Sequence, residues 1–554
     1  MEEKSKKDIQ SKLAAEWQNE CQSRYGEKAR NMEIFSESGL PLNPVYTSSD
    51  IEDINDEEIG MPGVFPFTRG NDPLGYRFEP IKNYMFFGYG LPEDTRERMD
   101  LYLKTPGANQ FIIATDMPTY YGYDPDHFLS KGRVGQCGVS LCNTQDLATL
   151  FDGVPLESVL VGIGAPFASP VNIALLVAYA EKRGFPPNRL RGVEGNRMYK
   201  ASYGFHPCFP AEKAMRCMVE VVAYCSRMMP EYSPLVLCGY TIREQGANAV
   251  QELAFILAIS QAITEGVIER GLSPDDYLSK VTVKLNGGND FFEEIAKFRA
   301  FRKLWAKINL ERFGCKDPKS LRPEHIIVQT AGNTLTAQQP LNNIVRVTVQ
   351  TLAAVIGGIP FVDPAAYDEA LSIPTEEAET IALRTGQILS HESNIKNVTD
   401  PMAGSYYVEY LTKRLEEEVY RMLERIEDRG GFIKSWEDGW FRSQIEEEAY
   451  EWGKMLDRKE KVVVGVNEYR TEAEPDVPLF QNNPEVEKIM VERLREFKYK
   501  RDDKKVKASL DHVGDAAKSG GELIPALVEA ARADATSGEM MDVLRKEYGW
   551  RIYR

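Results

Sequence analysis

The residues best suited to chemistry lie in the stretch LVLCGYTIREQGANAVQELAFILA at 235–258. Its first four residues are apolar, and a glycine ends the run. The polar residues that follow are Tyr240, Thr241, Arg243 and Glu244. A short apolar run ending in polar side chains is typical of a parallel α/β protein, in which strand ends carry the reacting groups. The set has no histidine, so it lacks the commonest general base.

Other predicted strand ends add aromatic and amide side chains. They contribute 86–89, 116–121, Glu194, Asn196, Asn286, 329–330 and Asp363. No serine or cysteine stands beside a strand-end histidine, so no nucleophile–base pair is indicated. Asp116 and Glu194 could form an acid–base pair on spacing alone, although two carboxylates at a barrel mouth are common. Few acid–base groups and many aromatic walls favour a cofactor that carries the difficult chemistry itself, such as a radical source.

Composition narrows the function classes. The net charge of −17 over 554 residues argues against binding of nucleic acids or anionic membranes, because phosphates would be repelled. No apolar run of about 18 residues is free of charge, and the charged N-terminus lacks a signal-peptide core, so we predict neither a membrane span nor secretion. Eight scattered cysteines without a CxxC pair are typical of a reducing cytoplasm. None of the five histidines pairs at ligand spacing, so no metal site is predicted.

The elements that must position these residues alternate along the chain. Short apolar runs end in polar residues or glycine, and stretches of 3.6-residue periodicity separate them. The predicted strands are 84–89, 110–116, 158–164, 190–194, 234–239, 280–285, 325–330 and 358–362. The main predicted helices are 144–151, 170–183, 211–227, 244–269, 291–313 and 341–356. Eight βα units predict an α/β fold with a parallel (β/α)8 TIM barrel, and an open doubly wound sheet is the alternative.

Changes in composition mark three regions. We predict that residues 1–60 form a helical arm and linker and that 61–400 form the barrel with the substrate and cofactor site. Residues 401–554 are predicted to form a mostly helical C-terminal region. The β-branched run at 461–469 predicts one short strand inside the last region. No glycine-rich phosphate fingerprint follows a predicted strand, because the lookalike GIGAPFASP breaks at Pro166.

A series of motifs then identifies a family. The motifs are PFTRG (66–70), GYDPDH (122–127), LFDGVPLESV (150–159), GANAVQELAFILA (246–258), FFEEIAKFRAFRKLWAKI (291–308), QTAGNTLTAQQPLNNIVRVT (329–348), YDEALSIPTEEA (367–378), DPMAGSYYVEYLT (400–412) and VVVGVNEY (462–469). Over about 50–550, in order, the chain resembles the large, substrate-binding chain of the adenosylcobalamin-dependent acyl-CoA mutases. That family includes methylmalonyl-CoA, isobutyryl-CoA and 2-hydroxyisobutyryl-CoA mutases, so membership does not define the substrate.

The resemblance implies a radical rearrangement inside the barrel. An adenosyl radical takes hydrogen from the acyl group, the thioester carbonyl carbon migrates, and the hydrogen returns. Fused family members carry a cobalamin domain with a D-x-H-x-x-G motif, but here Asp511 directly precedes His512, which is the wrong spacing. The resemblance therefore implies adenosylcobalamin (coenzyme B12) held jointly with a separate small cobalamin-binding subunit. It also implies an α2β2 assembly and a G-protein chaperone.

The resemblance assigns five residues to the cofactor. They are Met117, Cys137, Glu244, Gly332 and Glu369. Glu244 and Glu369 match family glutamates that contact the adenosyl ribose, a role that suits a carboxylate because it can accept two hydroxyl hydrogen bonds. Cys137 stands where an alanine usually faces the corrin.

Three residues are assigned to catalysis: Tyr240, Thr241 and Gln329. Tyr240 matches a tyrosine at the boundary of cofactor and substrate, and Gln329 lies in a strand end beside substrate and corrin. Thr241 replaces the family histidine that hydrogen-bonds the thioester carbonyl. A threonine hydroxyl is a shorter and weaker donor, so this change affects catalysis as well as specificity.

The substrate positions depart from the family pattern. They are Phe86, Asp116, Glu194, Gly204, Arg243, Lys280 and Lys284. Gly204 falls where the methylmalonyl enzyme has the arginine that pairs with its free carboxylate, and glycine cannot make that contact. Phe86 is like the isobutyryl enzyme, and Asp116 could accept a substrate hydroxyl or amino group. Glu194 replaces a glutamine, and Arg243 has no counterpart and either reaches the site or points to solvent.

The CoA contacts differ as well. The positions that match the CoA-tunnel arginines and glutamine of the family hold Glu79, Tyr84, His325 and Pro360 here. Either Lys82, Lys280 and Lys284 hold CoA, or the carrier is not ordinary CoA. The leading hypothesis is a mutase for an acyl-CoA other than methylmalonyl-CoA, with a bulkier or uncharged acyl group. The alternatives are a mutase for a non-CoA substrate and a non-catalytic protein that binds a cobalamin partner.

Overall fold

The computed structural model describes residues 2–26, 33–78, 80–103, 110–157, 159–323, 325–471 and 477–552. Glu79, one of the positions discussed for CoA, lies outside the described residues. Between residues 82 and 363, parallel strands alternate with helices.

Eight strand positions correspond to the eight predicted strands. They are β1 (Lys82–Asn83 and Met85–Phe87), β2 (Gln110–Ala114), β3 (Leu160–Gly164), β4 (Gly192–Glu194), β5 (Tyr232–Ser233 and Val236–Cys238), β6 (Thr282–Gly287), β7 (His325–Thr330) and β8 (Phe361–Asp363). Each pairs in parallel with the next, and β8 pairs with the first half of β1. Sequential parallel pairing is what successive βα units produce.

The strands fall into two five-stranded sheets because two of them are interrupted. β1 is interrupted at Tyr84, whose backbone N–H still donates to the carbonyl of Val362 at 2.9 Å. β5 is interrupted at Pro234 and Leu235, where proline has no N–H to donate, and the Leu235 carbonyl accepts from the Thr282 N–H at 3.1 Å. Pairing thus passes through all eight positions and returns to the first. The fold class is confirmed as α/β with parallel sheets, in an arrangement consistent with a TIM-type barrel.

Side chains alternate between the two faces of these strands. One face packs in the main core, where it contributes Phe111, Ile113, Val283, Leu285 and Val328. The other face forms a separate apolar cluster, named here the inner cluster. Its members are Tyr84, Ile112, Val193, Val236, Cys238, Ile327 and Phe361. Inward-facing strand residues fill the interior of a parallel barrel, and the inner cluster is this filling.

Helices make up most of the remaining described chain. Those of seven or more residues are Glu2–Tyr25, Pro92–Leu103, Thr144–Leu150, Ser169–Lys182, Ala211–Met228, Ala249–Glu269, Phe291–Glu311, Asn342–Ile356, Glu376–His391, Tyr406–Asp428, Gly431–Glu437, Trp440–Asp457, Val486–Lys500, Asp503–Ser519, Leu523–Arg532 and Ser537–Tyr548. Shorter ones are Asp56–Ile59, Met117–Tyr121, Tyr240–Arg243 and Pro318–Leu321. The six helices predicted between the strands all overlap observed helices.

The helix Ala249–Glu269 shows how the sequence specifies these elements. Asn248 caps it by accepting the N–H of Gln251 at 3.0 Å, and the Gln251 side chain accepts the Asn248 N–H at 3.1 Å. By length and composition this helix could cross a membrane, yet most of it is buried inside the protein. A helix that is apolar on nearly all sides is also typical of a protein core.

One predicted element is wrong. The run at 461–469 forms no strand, only a single bridge between Val464 and Glu468. Gly465 has a positive φ of 85°, and the Asn467 side-chain amide donates to the Lys461 carbonyl at 2.8 Å. This side-chain bond to the backbone favours a turn over a ladder, and the β-branched composition alone does not report it.

Candidate active site

A cavity of about 590 Å³ lies at the carboxyl ends of the strands. Strand ends converge on one face of a parallel barrel, so residues far apart in sequence meet there. The sequence-predicted site residues that line the cavity are Phe86, Met117, Cys137, Tyr240, Thr241, Lys284, Gln329 and Glu369. This group mixes residues assigned to the cofactor, to catalysis and to the substrate.

Three of the predicted site residues meet beside Gly332. A β-carbon built on Gly332 would lie 3.0 Å from each of three oxygens: Glu244 Oε2, Glu369 Oε1 and the Tyr240 hydroxyl. The side chains come from the segment after β5 and the segment after β8, while Gly332 follows β7. Only a residue without a side chain leaves this convergence open.

The two carboxyl groups at this point are held differently. Glu244 accepts from the Asn286 side-chain amide at 3.0 Å and from the Asn333 backbone N–H at 2.8 Å. Burial raises the pKa of Glu244 to about 7, against the effect of these hydrogen bonds. Burial and then the neighbouring charge of Glu244 raise the pKa of Glu369 to about 8. The pair therefore carries at least one proton near neutral pH.

Thr241 belongs to a hydroxyl pair at the cavity wall. Its Oγ1 lies 2.8 Å from the Tyr203 hydroxyl and 3.3 Å from the Cys238 carbonyl, to which it donates. A hydroxyl pair of this kind can turn one hydrogen toward a ligand, because each oxygen is both donor and acceptor. Gln329 lines the same cavity from β7 and adds an amide.

A buried ion pair crosses the cavity between β6 and β8. The Lys284 ammonium lies 3.0 Å from Asp363 Oδ2, and only 4% of the lysine side chain is exposed. The same ammonium lies 4.9 Å from the centre of the Phe86 ring and 5.6 Å from that of Tyr240. Aromatic faces attract cations, so the two rings fix the position of the ammonium. Burial raises the pKa of Asp363, against the charge of Lys284.

Two cavity residues were missed by the sequence analysis. Arg197 and Lys200 follow β4, and both are buried and line the cavity. The Lys200 ammonium donates to the Tyr120 hydroxyl at 2.5 Å. Their signal in the sequence is the run NRMYKASYGF, in which two cations stand among residues that pack in a core. Long cations are rarely buried without a partner, so their placement in such a run suggests a site.

Asp116 caps a helix next to the cavity. Its Oδ1 accepts the Thr119 N–H at 2.9 Å and its Oδ2 accepts the Gly135 N–H at 2.7 Å. Burial raises the pKa of its carboxyl to about 6. Because both oxygens are occupied and Asp116 does not line the cavity, we leave it out of the proposed substrate contacts.

Glu194 and Gly204 also lie away from the cavity lining. Glu194 is the last residue of β4 and faces Cys225 and Tyr232, and burial raises the pKa of its carboxyl to about 8. A β-carbon at Gly204 would lie 2.8 Å from the His206 ring. The His206 ring therefore occupies the space that a larger side chain at position 204 would need, and glycine at this position does not widen the cavity.

Arg243 takes neither of the two expected positions. Its guanidinium is buried, donates to the Ala247 carbonyl at 2.6 Å, and lies 3.2 Å from Glu37 and 3.5 Å from Glu294. The short helix Tyr240–Arg243 turns the side chain away from the strand end, so Arg243 reaches neither solvent nor the cavity. Lys280 precedes β6, at the opposite end from the cavity, and donates to the Asp276 carbonyl.

A second cavity of about 380 Å³ lies at the amino ends of β1, β7 and β8. Its basic lining residues are Arg69, Lys82, Arg322 and His325. We call the cavity at the carboxyl ends of the strands the upper cavity and the one at the amino ends the lower cavity. The inner cluster separates them, because Phe361 lines the lower cavity and Ile112 lines the upper cavity. Tyr84 packs edge-on against Phe361, with ring centres 6.4 Å apart. The axis of the barrel is therefore occupied by side chains.

The chain is similar to known proteins over most of its length. Residues 35–550 match the family model described as methylmalonyl-CoA mutase. The chain is 36% identical to the 2-hydroxyisobutanoyl-CoA mutase large subunit of Aquincola tertiaricarbonis, over 98% of this chain and 97% of that protein. It is 36% identical to the methylmalonyl-CoA mutase of Rhizobium meliloti (strain 1021), over 92% of this chain and 72% of that protein.

A third relative extends the similarity. The methylmalonyl-CoA mutase of Escherichia coli (strain K12) is 32% identical over 96% of this chain and 74% of that protein. The matches span nearly the whole described barrel and the helices that follow it. The chain therefore belongs to the methylmalonyl-CoA mutase family.

Proposed function

We propose that this chain is the large subunit of an adenosylcobalamin-dependent mutase that rearranges the carbon skeleton of an acyl-CoA other than methylmalonyl-CoA. The observation that carries the proposal is the convergence of Tyr240, Glu244 and Glu369 beside Gly332, where Tyr240 and Glu369 also line the cavity. These residues match the cofactor-side pattern of the family. One relative of this chain is named as the large subunit of an acyl-CoA mutase, and the others are named as methylmalonyl-CoA mutases.

The residues present fit the cofactor. The gap at Gly332 would be filled by a β-carbon, and two carboxyl groups with a phenol border it, a set that suits the hydroxyls of a ribose. Met117 and Cys137 line the cavity, where they would face the corrin. When bound, adenosylcobalamin would supply a carbon radical that abstracts a hydrogen atom from the substrate.

The side chains of this protein bind, orient and shield in this proposal. Glu244, held by Asn286 and Asn333, accepts hydroxyl hydrogens. The Thr241–Tyr203 hydroxyl pair donates one hydrogen to the thioester carbonyl, which orients the migrating group. Phe86 and Tyr240 keep water away from the reacting carbon.

Two features support an acyl group other than methylmalonyl. Gly204 provides no arginine for a carboxylate, and Thr241 stands where the family has histidine. The full-length similarity to a protein named as a 2-hydroxyisobutanoyl-CoA mutase large subunit is in line with a different acyl group. The words large subunit in that name also support a separate small cobalamin-binding subunit as the partner of this chain.

A second candidate is a mutase whose acyl group is carried by something other than CoA. The observation that favours it is the inner cluster, because Tyr84 and Phe361 fill the axis between the two cavities. The basic lower cavity favours the first candidate, since Lys82 and its neighbours there suit phosphates.

One experiment tests both candidates. The chain is combined with its small cobalamin-binding subunit and adenosylcobalamin, and a panel of acyl thioesters is offered both as CoA and as N-acetylcysteamine derivatives. We expect an EPR signal and an isomeric product with at least one CoA thioester. The kcat/KM for that thioester should be about tenfold or more above the kcat/KM for its N-acetylcysteamine form. Methylmalonyl-CoA should show little turnover. Equal kcat/KM for both carriers would favour the second candidate, and silence with every thioester would contradict the proposal.

A further inference from the structure

One strand-end side chain of the upper cavity has no role in the proposed function. Cys238 is the last residue of β5, belongs to the inner cluster and lines the cavity. Only 1% of its surface is exposed, so a reagent reaches its sulfur through the cavity. Thr241 Oγ1 lies 3.6 Å from the sulfur. The thiol therefore stands beside the hydroxyl pair to which we assign the thioester carbonyl.

Cations approach this sulfur from two elements. In the parallel register of β5 and β6, Cys238 is paired with Lys284, and neighbouring strands lie about 4.7–4.9 Å apart. Arg197, from the segment after β4, hydrogen-bonds the Cys238 side chain. Lys200 follows Arg197 by one helical turn and lines the same cavity. Nearby cations stabilise a thiolate, which is the nucleophilic form of cysteine.

The balance of charges around the sulfur favours this form. Burial acts to raise the pKa of the Cys238 thiol, but the charges of Arg197, Lys200 and Lys284 outweigh burial and lower it. The carboxylate of Asp363 on β8 pairs with Lys284 at 3.0 Å. The tyrosines near the sulfur bring no charge at neutral pH, because burial raises the pKa of each. They are Tyr120, Tyr199, Tyr203 and Tyr240.

An unpaired donor in the same wall points to a ligand. Arg197 is 7% exposed and lines the cavity, and its Nε has no hydrogen-bond partner among the described residues. A buried N–H without a partner costs free energy, which a ligand oxygen would recover by accepting it. The wall thus places a nucleophile next to a free donor for a carbonyl oxygen.

We propose that Cys238 is a covalent binding site for α,β-unsaturated acyl thioesters. The ligand class rests on the proposed function, which brings acyl thioesters into the cavity, whereas the nucleophilic sulfur does not depend on it. A sulfur lone pair forms a bond to the β-carbon of the ligand, and the π electrons of the C=C bond move toward the thioester oxygen. The resulting enolate takes a proton at its α-carbon. No oxidant, reductant or leaving group is needed.

The neighbouring side chains suit this addition. The Thr241–Tyr203 hydroxyl pair and the free Nε–H of Arg197 can donate to the enolate oxygen, where negative charge develops. Lys200 can supply the proton, because burial and then the charge of Arg197 lower its pKa to about 7. The product is a thioether, and the mass of the chain increases by the mass of the whole ligand.

The nucleophile is tested first with a small probe. The full chain is treated with acrylamide between pH 6 and pH 8, and each cysteine is followed by peptide mass spectrometry. The reference thiol is glutathione, whose alkylation rises about tenfold per pH unit over this range. We expect a clearly weaker rise for Cys238, because more of it is already thiolate at the lower pH. Cys225, a buried thiol outside the cavity lining whose pKa is raised by burial, should stay unmodified.

Variants test the role of the cations. In Arg197→Met the alkylation rate of Cys238 should rise more steeply with pH, toward the behaviour of glutathione, because a stabilising charge is gone. Lys200→Met should change the profile in the same direction. Arg532→Met, at an exposed arginine paired with Glu181, is the control and should keep the parent profile. Thermal unfolding confirms that each variant is folded.

The ligand class is tested with a matched pair of thioesters, 2-butenoyl-CoA and butanoyl-CoA. We expect the unsaturated member to add its whole mass to Cys238. The saturated member should add nothing and should slow the reaction of Cys238 with acrylamide, because it occupies the same cavity. Cys238→Ser should give no adduct with either thioester.

Each failure has a separate meaning. If acrylamide modifies the exposed Cys137 but not Cys238, or if the pH profile of Cys238 matches that of glutathione, the nucleophilic site is overturned. If acrylamide modifies Cys238 but 2-butenoyl-CoA does not, the ligand class is overturned. These reactions need neither the small subunit nor adenosylcobalamin. Isomer formation from saturated acyl-CoAs with both present reports the mutase function independently.

Discussion

At the scale of single residues, Gly332 tests the cofactor side most directly. In Gly332→Ala the new methyl would lie 3.0 Å from Glu244, Glu369 and Tyr240, closer than their oxygens tolerate without moving. We expect the affinity for adenosylcobalamin, measured by spectroscopic titration with the small subunit present, to fall about tenfold or more. The midpoint of thermal unfolding should change little, because Tyr240 and Glu369 line the upper cavity and have room to move.

The matched control for this change is Gly453→Ala. Gly453 lies within the helix Trp440–Asp457, and a β-carbon there meets nothing within 4 Å. Alanine should stabilise this helix by about 0.5–1 kcal/mol and leave cofactor affinity as it was. If Gly332→Ala and Gly453→Ala bind the cofactor equally well, the carboxyl pair is not its contact.

At this scale, the sequence indicates which residue types belong to the site better than it indicates where each side chain points. Tyr240, Glu244 and Glu369 could be singled out because Glu369 lies in a recognisable motif and the other two lie shortly before one. Arg243 could not be placed, because one turn of helix after β5 decides whether its side chain faces the cavity or Glu37. Arg197 and Lys200 were missed because no family motif marks them, and their one signal is that two cations stand among residues that pack in a core.

At the scale of elements, a buried ion cluster joins two helices to β6. Lys297 lies 2.8 Å from Glu252 and 2.6 Å from Glu294, and all three side chains are fully buried. Glu252 also accepts the backbone N–H of Asn286 at 2.8 Å. The Asn286 side chain in turn donates to Glu244. The cluster therefore supports the cofactor side of the cavity from behind.

Lys297→Met should destabilise the protein strongly. It leaves Glu252 and Glu294 buried with one cation fewer, and breaking a buried pair typically costs about 3–5 kcal/mol. Urea unfolding followed by circular dichroism measures the loss. Lys488→Met, at an exposed lysine 3.5 Å from Glu485, is the control and should cost less than about 1 kcal/mol. Similar losses in both variants would contradict the role given to the cluster.

The elements themselves were largely predictable from the sequence. The strands of the barrel are short apolar runs bounded by glycine and polar residues. This pattern can be recognised in the sequence without knowledge of the tertiary structure. The break in β5 at Pro234 was not anticipated, although proline removes a ladder donor there. The false strand at 461–469 shows the converse, since the backbone bonds of Asn467 outweigh β-branched composition.

At the scale of the whole molecule, buried carboxyl groups set the dependence of stability on pH. Burial raises the pKa of Glu244, Glu293 and Glu379 to about 7, and of Glu194 and Glu369 to about 8. These groups hold protons in the folded chain that the unfolded chain releases above a pH of about 4.3. Unfolding therefore releases protons, and stability falls as pH rises.

We expect the urea midpoint to decrease steadily between pH 5 and pH 8. Each such group contributes a slope of at most about 1.4 kcal/mol per pH unit to the free energy of unfolding. Glu369→Gln should flatten the profile, because an amide does not titrate. A midpoint that rises over this range, or a Glu369→Gln profile parallel to the parent, would show that the buried carboxyls are ionised in the folded protein.

The contact between Glu37 and Arg243 has a consequence for how the chain is divided. Glu37 lies in the segment that composition assigns to an N-terminal arm, yet it holds the arginine next to Glu244. Ser38 likewise donates to Glu293 and accepts the N–H of Ala249 at the start of a core helix. Residues of a region that looks like a tether in the sequence thus hold side chains and a helix start behind the cavity, so a border drawn by composition does not follow the contacts of the fold.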